Sequence, residues 1–272
     1  MIRIAVVQFP GSNCEQETAD ALRQAGAEPI VARWNTPVEI WREFDGFVLP
    51  GGFSYEDRVR AGAVAARHAV LDAIATAADD GKPVLGVCNG AQILVEAGLV
   101  PGIEPGRVEV ALASNQTAGW RGYFCGWVHV RAERELVDGE ASGCIVPLPV
   151  GHGEGRFAAR AEVLADLVQR NQVAFRYASP HGGPAGGFPG NPNGSMQDIA
   201  GLCDATGSVV ALMPHPERAA WLYQVPEETA GPWGEKRRNL DRMESSTSPG
   251  PGAALYRSFV RRAGGTNGRG AR

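Results

Sequence analysis

The 272-residue chain predicts an α/β fold: a doubly wound, mostly parallel sheet with helices on both faces and added antiparallel strands. Three observations carry this. From Arg3 to Ala97, short apolar runs alternate with helical stripes. Beyond Arg107, strand-like runs follow one another between Gly, Asn and Pro turns, as hairpins added to the same sheet would. No composition shift marks a linker, so residues 1–263 read as one domain.

Arg3–Phe9 is nearly continuous in apolar residues, the signature of a strand covered on both faces. Ser12 and Glu15 have capping-box spacing ahead of a helix that Gly26 would end. Glu28–Arg33 and Gly46–Leu49 read as strands. Val59, Ala63, Ala66, Val70, Ile74 and Ala77 recur every three or four residues, which predicts a helix. Pro83–Val87 is a further strand and Ala91–Ala97 a further helix. Then come strand-like runs at Val108–Ala113, Cys125–Arg131, Ile145–Val150, Val173–Tyr177, Ile199–Cys203 and Ser208–Met213, with one helix near Arg160–Gln169. Gly182–Gly194 and Pro226–Gly252 look irregular. Ala253–Arg262 reads as a closing helix, and Gly264–Arg272 as a disordered tail.

Composition narrows the function. Lys plus Arg at 26 against Asp plus Glu at 30 leaves a net charge of −4, too little positive field to grip a nucleic acid. No apolar run reaches the ~18 residues of a membrane span, and Met1–Ile4 does not open a secretory signal, so no membrane role is expected. Five scattered cysteines show neither disulfide rhythm nor zinc spacing, which points to a reducing, cytoplasmic setting and no bound metal.

The sharpest chemical feature is Gly86-Val87-Cys88-Asn89-Gly90, between an expected strand and an expected helix. Such an elbow pushes its central side chain out at the carboxyl end of a sheet. A helix N-terminus there favours a thiolate and offers N–H groups to an oxyanion. Cys88 is therefore the candidate nucleophile. Cys14 is the rival, opening a helix after a strand but without the tight Gly-flanked turn; Cys125, Cys144 and Cys203 read as core.

A thiol nucleophile needs a base, and the base an orienting group. His68, His129 and His181 sit in an expected helix, strand and Gly-rich loop. His152-Gly153-Glu154 and His215-Pro216-Glu217 each place a carboxylate two residues from an imidazole, on one side of an extended chain. Residue chemistry leaves both open. It favours the second modestly, because Pro214 and Pro216 stiffen a segment at the end of an apolar strand, while glycines surround His152. Cys…His…Glu is not the chain order of an α/β-hydrolase. The loop Pro50-Gly51-Gly52-Phe53-Ser54 could add N–H donors to that of Asn89, or be a plain turn. No Walker loop occurs.

Taken together, Leu49-Pro50-Gly51-Gly52, Gly86–Gln92 and Pro214-His215-Pro216-Glu217 resemble the class I (triad) glutamine amidotransferases in sequence and order. Pro10–Cys14, Gly51–Tyr55, Gly151–Gly155, Asn193–Ser195 with Asp198–Gly201, and Met213–Ala219 resemble one family among them, the glutaminase subunits of phosphoribosylformylglycinamidine synthase. The resemblance implies a flavodoxin-like sheet and a triad of Cys88, His215 and Glu217. It implies an oxyanion and substrate site at Gly51, Gly52, Asn89 and Gln92, and glutamine as substrate. Ammonia would pass to a separate synthetase subunit, where ATP and Mg would act; this chain would hold no cofactor. A small third subunit would bridge the two. The resemblance selects the second His-x-Glu pair and leaves Gly151–Gly155 as a structural or partner-facing loop, and Cys14 without a catalytic role.

The sequence departs from that pattern at Glu56, where glycine is common, in a lengthened Gly182–Asn191, and in a probable insertion over 226–252. The alternative function is a cysteine hydrolase or deglycase on a related scaffold, which would share the cysteine elbow but lack Pro214–Glu217 and Asn193–Ser195.

Overall fold

The computed structural model describes residues 1–104, 106–139 and 142–266. Strands β1 (Arg3–Gln8), β2 (Glu28–Arg33), β3 (Gly46–Leu49) and β4 (Val84–Val87) alternate with helices α1 (Glu15–Gln24), α2 (Val38–Trp41) and α3 (Val70–Asp79), and α4 (Asn89–Glu96) leaves β4 directly. The second half begins with β5 (Ala111–Ala113), a hairpin of β6 (Gln116–Thr117) and β7 (Trp120–Arg121), and the long pair β8 (Phe124–Ala132) and β9 (Ile145–His152). Next come β10 (Arg156–Ala158), α5 (Ala161–Gln169), β11 (Val173–Ala178), β12 (Ile199–Cys203) and β13 (Val209–Leu212). The chain closes on α6 (Pro232–Asn239), α7 (Arg242–Thr247) and α8 (Ala253–Thr266).

Nine strands form one sheet in the order β2-β1-β3-β4-β13-β12-β11-β8-β9. Neighbours from β2 through β13 pair parallel, as helical crossovers require, and those from β13 to β9 pair antiparallel. Every residue of β3, β4 and β13 is buried, which explains their unbroken apolar sequences. Because Val87 pairs with Leu212, β4 and β13 end at the same level. The segments that follow them therefore emerge side by side at the carboxyl edge, where open α/β sheets place their sites. The far edge strand β9 is covered in part by one of those segments: His215 N–H donates to Pro149 O (2.8 Å).

Four local expectations change. The helix expected from Val59 forms only over Val70–Asp79. Val59 is left-handed and exposed, and Gly62 is folded so close to α4 that a Cβ would lie 2.7 Å from the Gln92 backbone. The Ser12–Glu15 capping box does not form; Cys14 takes the cap position of α1, and Ser12 Oγ accepts from Phe9 N instead (3.0 Å). Residues 226–252 are not irregular but carry α6 and α7, the latter with a reciprocal Asp241/Glu244 capping box (2.8 and 3.1 Å). The last helix runs past Arg262 to Thr266 because Ala263 is fully buried, so the expected tail does not begin at Gly264; 267–272 lie outside the described residues. No described helix is long and apolar enough to cross a membrane.

Candidate active site

Cys88 sits between the last residue of β4 and the first of α4 at φ 50°, ψ −105°, outside the regions an L-residue prefers. Two absent side chains make the turn possible. A Cβ on Gly86 would lie 2.5 Å from Gly90 O, and one on Gly90 only 1.9 Å from Leu49 O. Cys88 N–H donates to Leu212 O (2.8 Å), tying the elbow to β13. The sulfur stands 3.7 Å from Gly151 O on β9.

His215 and Glu217 are buried after β13, with His215 Nδ1 2.5 Å from Glu217 Oε1. His215 Nε2 and Glu217 Oε2 have no hydrogen-bond partner among the described residues. Burial opposes a charged imidazole, but the Glu217 carboxylate, with the Cys88 sulfur, outweighs it and holds His215 well above its ordinary value. The sheet thus brings the three expected triad residues to one place: Pro149 O anchors the His215 backbone, and Gly151, two residues along β9, touches the Cys88 sulfur.

The glycine loop lies alongside. A Cβ on Gly51 would fall 2.7 Å from His215 Cε1 and 3.1 Å from Cys14 Sγ, so only glycine lets this strand end approach the imidazole. Asn89 opens α4, where helix geometry leaves its N–H without an internal partner. Its side chain is spent on scaffolding, Oδ1 accepting from Ser54 N (3.0 Å) and Nδ2 donating to Gln92 Oε1 (2.9 Å). Gln92 is a correction to the substrate-binding set. It is buried, and its Nε2 donates to Glu154 O (2.5 Å), so both ends of its amide are used inside the protein. Asp57, 3.4 Å from Asn89 Nδ2, has its carboxyl pushed up to about 6 by burial and by Glu154.

The other His-x-Glu pair does not form an imidazole–carboxylate couple. His152 is buried at the end of β9, and Asn115 Oδ1 faces its Nδ1 (3.3 Å). Asn115 Nδ2 already donates to Gly122 O and His152 O, so Nδ1 carries the proton and Nε2 is a bare lone pair. Burial, then the charge of His215, pushes this imidazole down to about 3. Glu154 points away, accepting from Ala61 N (3.1 Å). His68 lies in a bend against Trp34 and Tyr55, His129 contacts Ala230 O, and His181 is exposed.

Three residues of the site escaped sequence reasoning. Asn115 organises the turn around His152. Tyr123, 56% exposed, stands over Gly151 within the electrostatic reach of Cys88 and His215. Arg218 donates to Cys14 Sγ (3.1 Å). Only Arg218, next to Glu217, carried a positional hint. Cys14 Sγ, a His215 nitrogen and a Glu217 oxygen lie within 4.8 Å of one another, a spacing that could hold a metal ion. The Arg218 guanidinium on that sulfur opposes a cation there.

Residues 1–246 match the family described as the CobB/CobQ-like glutamine amidotransferase domain. A phosphoribosylformylglycinamidine synthase subunit PurQ from Methanothrix thermoacetophila is 42% identical over 256 residues, covering 89% of this chain and 97% of the relative. The protein of the same name from Thermus thermophilus is 44% identical over 221 residues, covering 80% and 90%. Among solved structures, a chain of PurLQS from Thermotoga maritima superposes with a TM-score of 0.69 at 30% identity, covering 96% and 98%. A glutamine amidotransferase from the same organism shares the fold, with a TM-score of 0.51 at 16% identity, covering 96% and 97%. The chain therefore belongs to the glutamine amidotransferases, within the family of phosphoribosylformylglycinamidine synthase subunits PurQ.

Proposed function

We propose that this chain is the glutaminase subunit of phosphoribosylformylglycinamidine synthase and that Cys88, His215 and Glu217 perform its chemistry. The Cys88 sulfur attacks the side-chain amide carbon of glutamine. His215 takes the thiol proton and passes it to the departing nitrogen, so ammonia leaves and a γ-glutamyl thioester remains. His215 then activates water against the thioester, releasing glutamate and restoring the thiol. Glu217 holds the imidazole with its proton on Nδ1 and stabilises the imidazolium formed in each half-reaction. The N–H groups of Gly52 and Asn89 receive the oxyanion of both tetrahedral intermediates.

The observation that carries this reading is the His215–Glu217 pair, buried and 2.5 Å apart, beside the strained Cys88 elbow. Ammonia goes to a synthetase subunit, which binds ATP and Mg and converts formylglycinamide ribonucleotide to the amidine; a small subunit bridges the two. This chain needs no cofactor of its own. Similarity to a chain of PurLQS supports work within such a complex. The five free cysteines fit a cytoplasmic setting. The relatives give no support to a hydrolase or deglycase reading. The test is glutamine hydrolysis with and without the synthetase subunit. Weak turnover alone and stimulation by the assembled partner are expected; turnover indifferent to the partner contradicts the proposal.

A further inference from the structure

The run Pro10–Cys14 has no part in the chemistry above, yet it is bonded along the whole candidate oxyanion loop. Phe53 N–H donates to Gly11 O and Tyr55 N–H to Pro10 O, both at 2.8 Å. In return Asn13 N–H and Cys14 N–H both donate to Gly51 O, each at 3.2 Å. Ser12 and Gly52 face each other as an isolated antiparallel bridge. The flanking residues supply the bonds, so the N–H of Gly52 points away from Pro10–Cys14 and is left for another acceptor. The orientation of the Gly51–Gly52 peptide is thus fixed from outside the loop, at the start of α1.

Cys14 also reaches the base. Its sulfur lies within 4.8 Å of a His215 ring nitrogen and a Glu217 oxygen. The space a Gly51 Cβ would need is bounded by this sulfur and by the Cε1–Nδ1 edge of the imidazole, which places the thiol on the Nδ1 side with Glu217. Sγ–H donates to Asn13 Oδ1 (3.1 Å), and Arg218 Nη2 donates to Sγ (3.1 Å). We propose that Cys14 is a positioning residue for glutamine hydrolysis: its N–H sets the Gly51–Gly52 peptide, its thiol braces His215, and one residue thereby fixes the oxyanion donor relative to the base. The inference rests on the glutaminase reading. Burial pushes the Cys14 thiol up, so it stays protonated and does not compete as a nucleophile.

The test uses Cys14→Ala and Cys14→Ser in the complex assembled with the synthetase subunit. Both glutamine-dependent and ammonia-dependent synthesis are measured across pH. Charged or titratable groups facing His215 are Cys88, Glu217, Cys14, Arg218, His152 and Tyr123; the substitution removes one that favours the imidazolium. For Cys14→Ala, kcat with glutamine should fall about tenfold or more, with KM within about threefold, because a small misplacement of reacting groups acts on kcat. The acid limb of the kcat profile should move to lower pH. Ammonia-dependent synthesis should be unchanged. Cys14→Ser, which keeps a hydroxyl to accept from Arg218, should fall between the alanine variant and the parent in both readouts. Parental kcat and an unmoved acid limb in Cys14→Ala overturn the inference. If that variant does not assemble, parental values in Cys14→Ser overturn it alone. Failure of the underlying reading looks different: there, Cys88→Ala would keep glutamine-dependent activity.

Discussion

The Nδ1 of His215 lies 2.5 Å from Oε1 of Glu217, with both side chains buried and the pair spanned by one proline. A carboxylate can only accept, so Nδ1 carries a proton and Nε2 is the nitrogen left to exchange one with the Cys88 sulfur. Pro216 makes the separation stiff. The pair works as a unit, and the imidazolium that catalysis generates has its counter-ion already in place.

Glu217→Gln should therefore damage catalysis while leaving the fold intact. An amide can donate to Nδ1 and favour the wrong tautomer, which lowers kcat by about 10²–10⁴-fold in analogous acid–imidazole pairs. Steady-state kinetics should show this loss with little change in KM, and thermal unfolding should show the protein still folded.

Gly90→Ala should be costly although alanine favours helices. Its Cβ would meet Leu49 O at 1.9 Å, within the elbow that carries Cys88. Overpacking of this kind costs roughly 2–4 kcal/mol. Gly265→Ala is the control: nothing lies within 4 Å of its Cβ position, so it should be neutral or slightly stabilising. Thermal midpoints of the two variants decide the point.

His152 should make the fold acid-sensitive. Its imidazole is pushed down to about 3, below the ~6.5 of an unfolded chain. The folded state binds fewer protons between those values, so this stabilisation is whole above about pH 6.5 and is lost as pH falls toward 3. Fully developed, it is on the order of 5 kcal/mol. His215 shifts the other way and offsets part of it. Denaturant titrations from pH 7 to 4 should show a shallower loss in His152→Gln than in the parent; equal slopes would count against the assignment.

Asp241→Ala should remove the reciprocal cap of α7 at a cost of about 1 kcal/mol. Glutamine hydrolysis should not change, because α6 and α7 lie outside the triad. The segment is nonetheless stitched to the site's support: Leu222 N–H donates to Ser248 O, and Gly252 N–H to Ala219 O. A large kinetic effect from Asp241→Ala would make the segment part of the catalytic machinery.

The parallel half of the sheet and the Cys88 elbow were legible because their signals are local. A buried parallel strand is a run of apolar residues, and a nucleophile elbow needs glycines at fixed offsets. What was not legible depends on distant approach. The helical stripe from Val59 met a loop where Gly62 packs on α4 and three consecutive residues, Tyr55 to Asp57, are left-handed. Choosing His215 over His152 by residue chemistry alone was a near tie, since both have a carboxylate at the same spacing. Only the fold turns Glu154 toward Ala61 and surrounds His152 with Asn115. Gln92 entered the substrate site only through the resemblance, and helix register points its amide inward. The role of Asn115 and the contact of Arg218 with Cys14, 204 positions apart, have no local signature at all.

The most direct measurement is the activity of the complex carrying Cys88→Ala, supplied in turn with glutamine and with ammonium salt. Glutamine-driven synthesis should fall at least about a thousandfold, while ammonia-driven synthesis stays at the parental level. A glutamine-analogue electrophile should label the parent at Cys88 and leave the variant unmodified. Glutamine-driven turnover at the parental rate in Cys88→Ala, or labelling at another cysteine, would contradict the account.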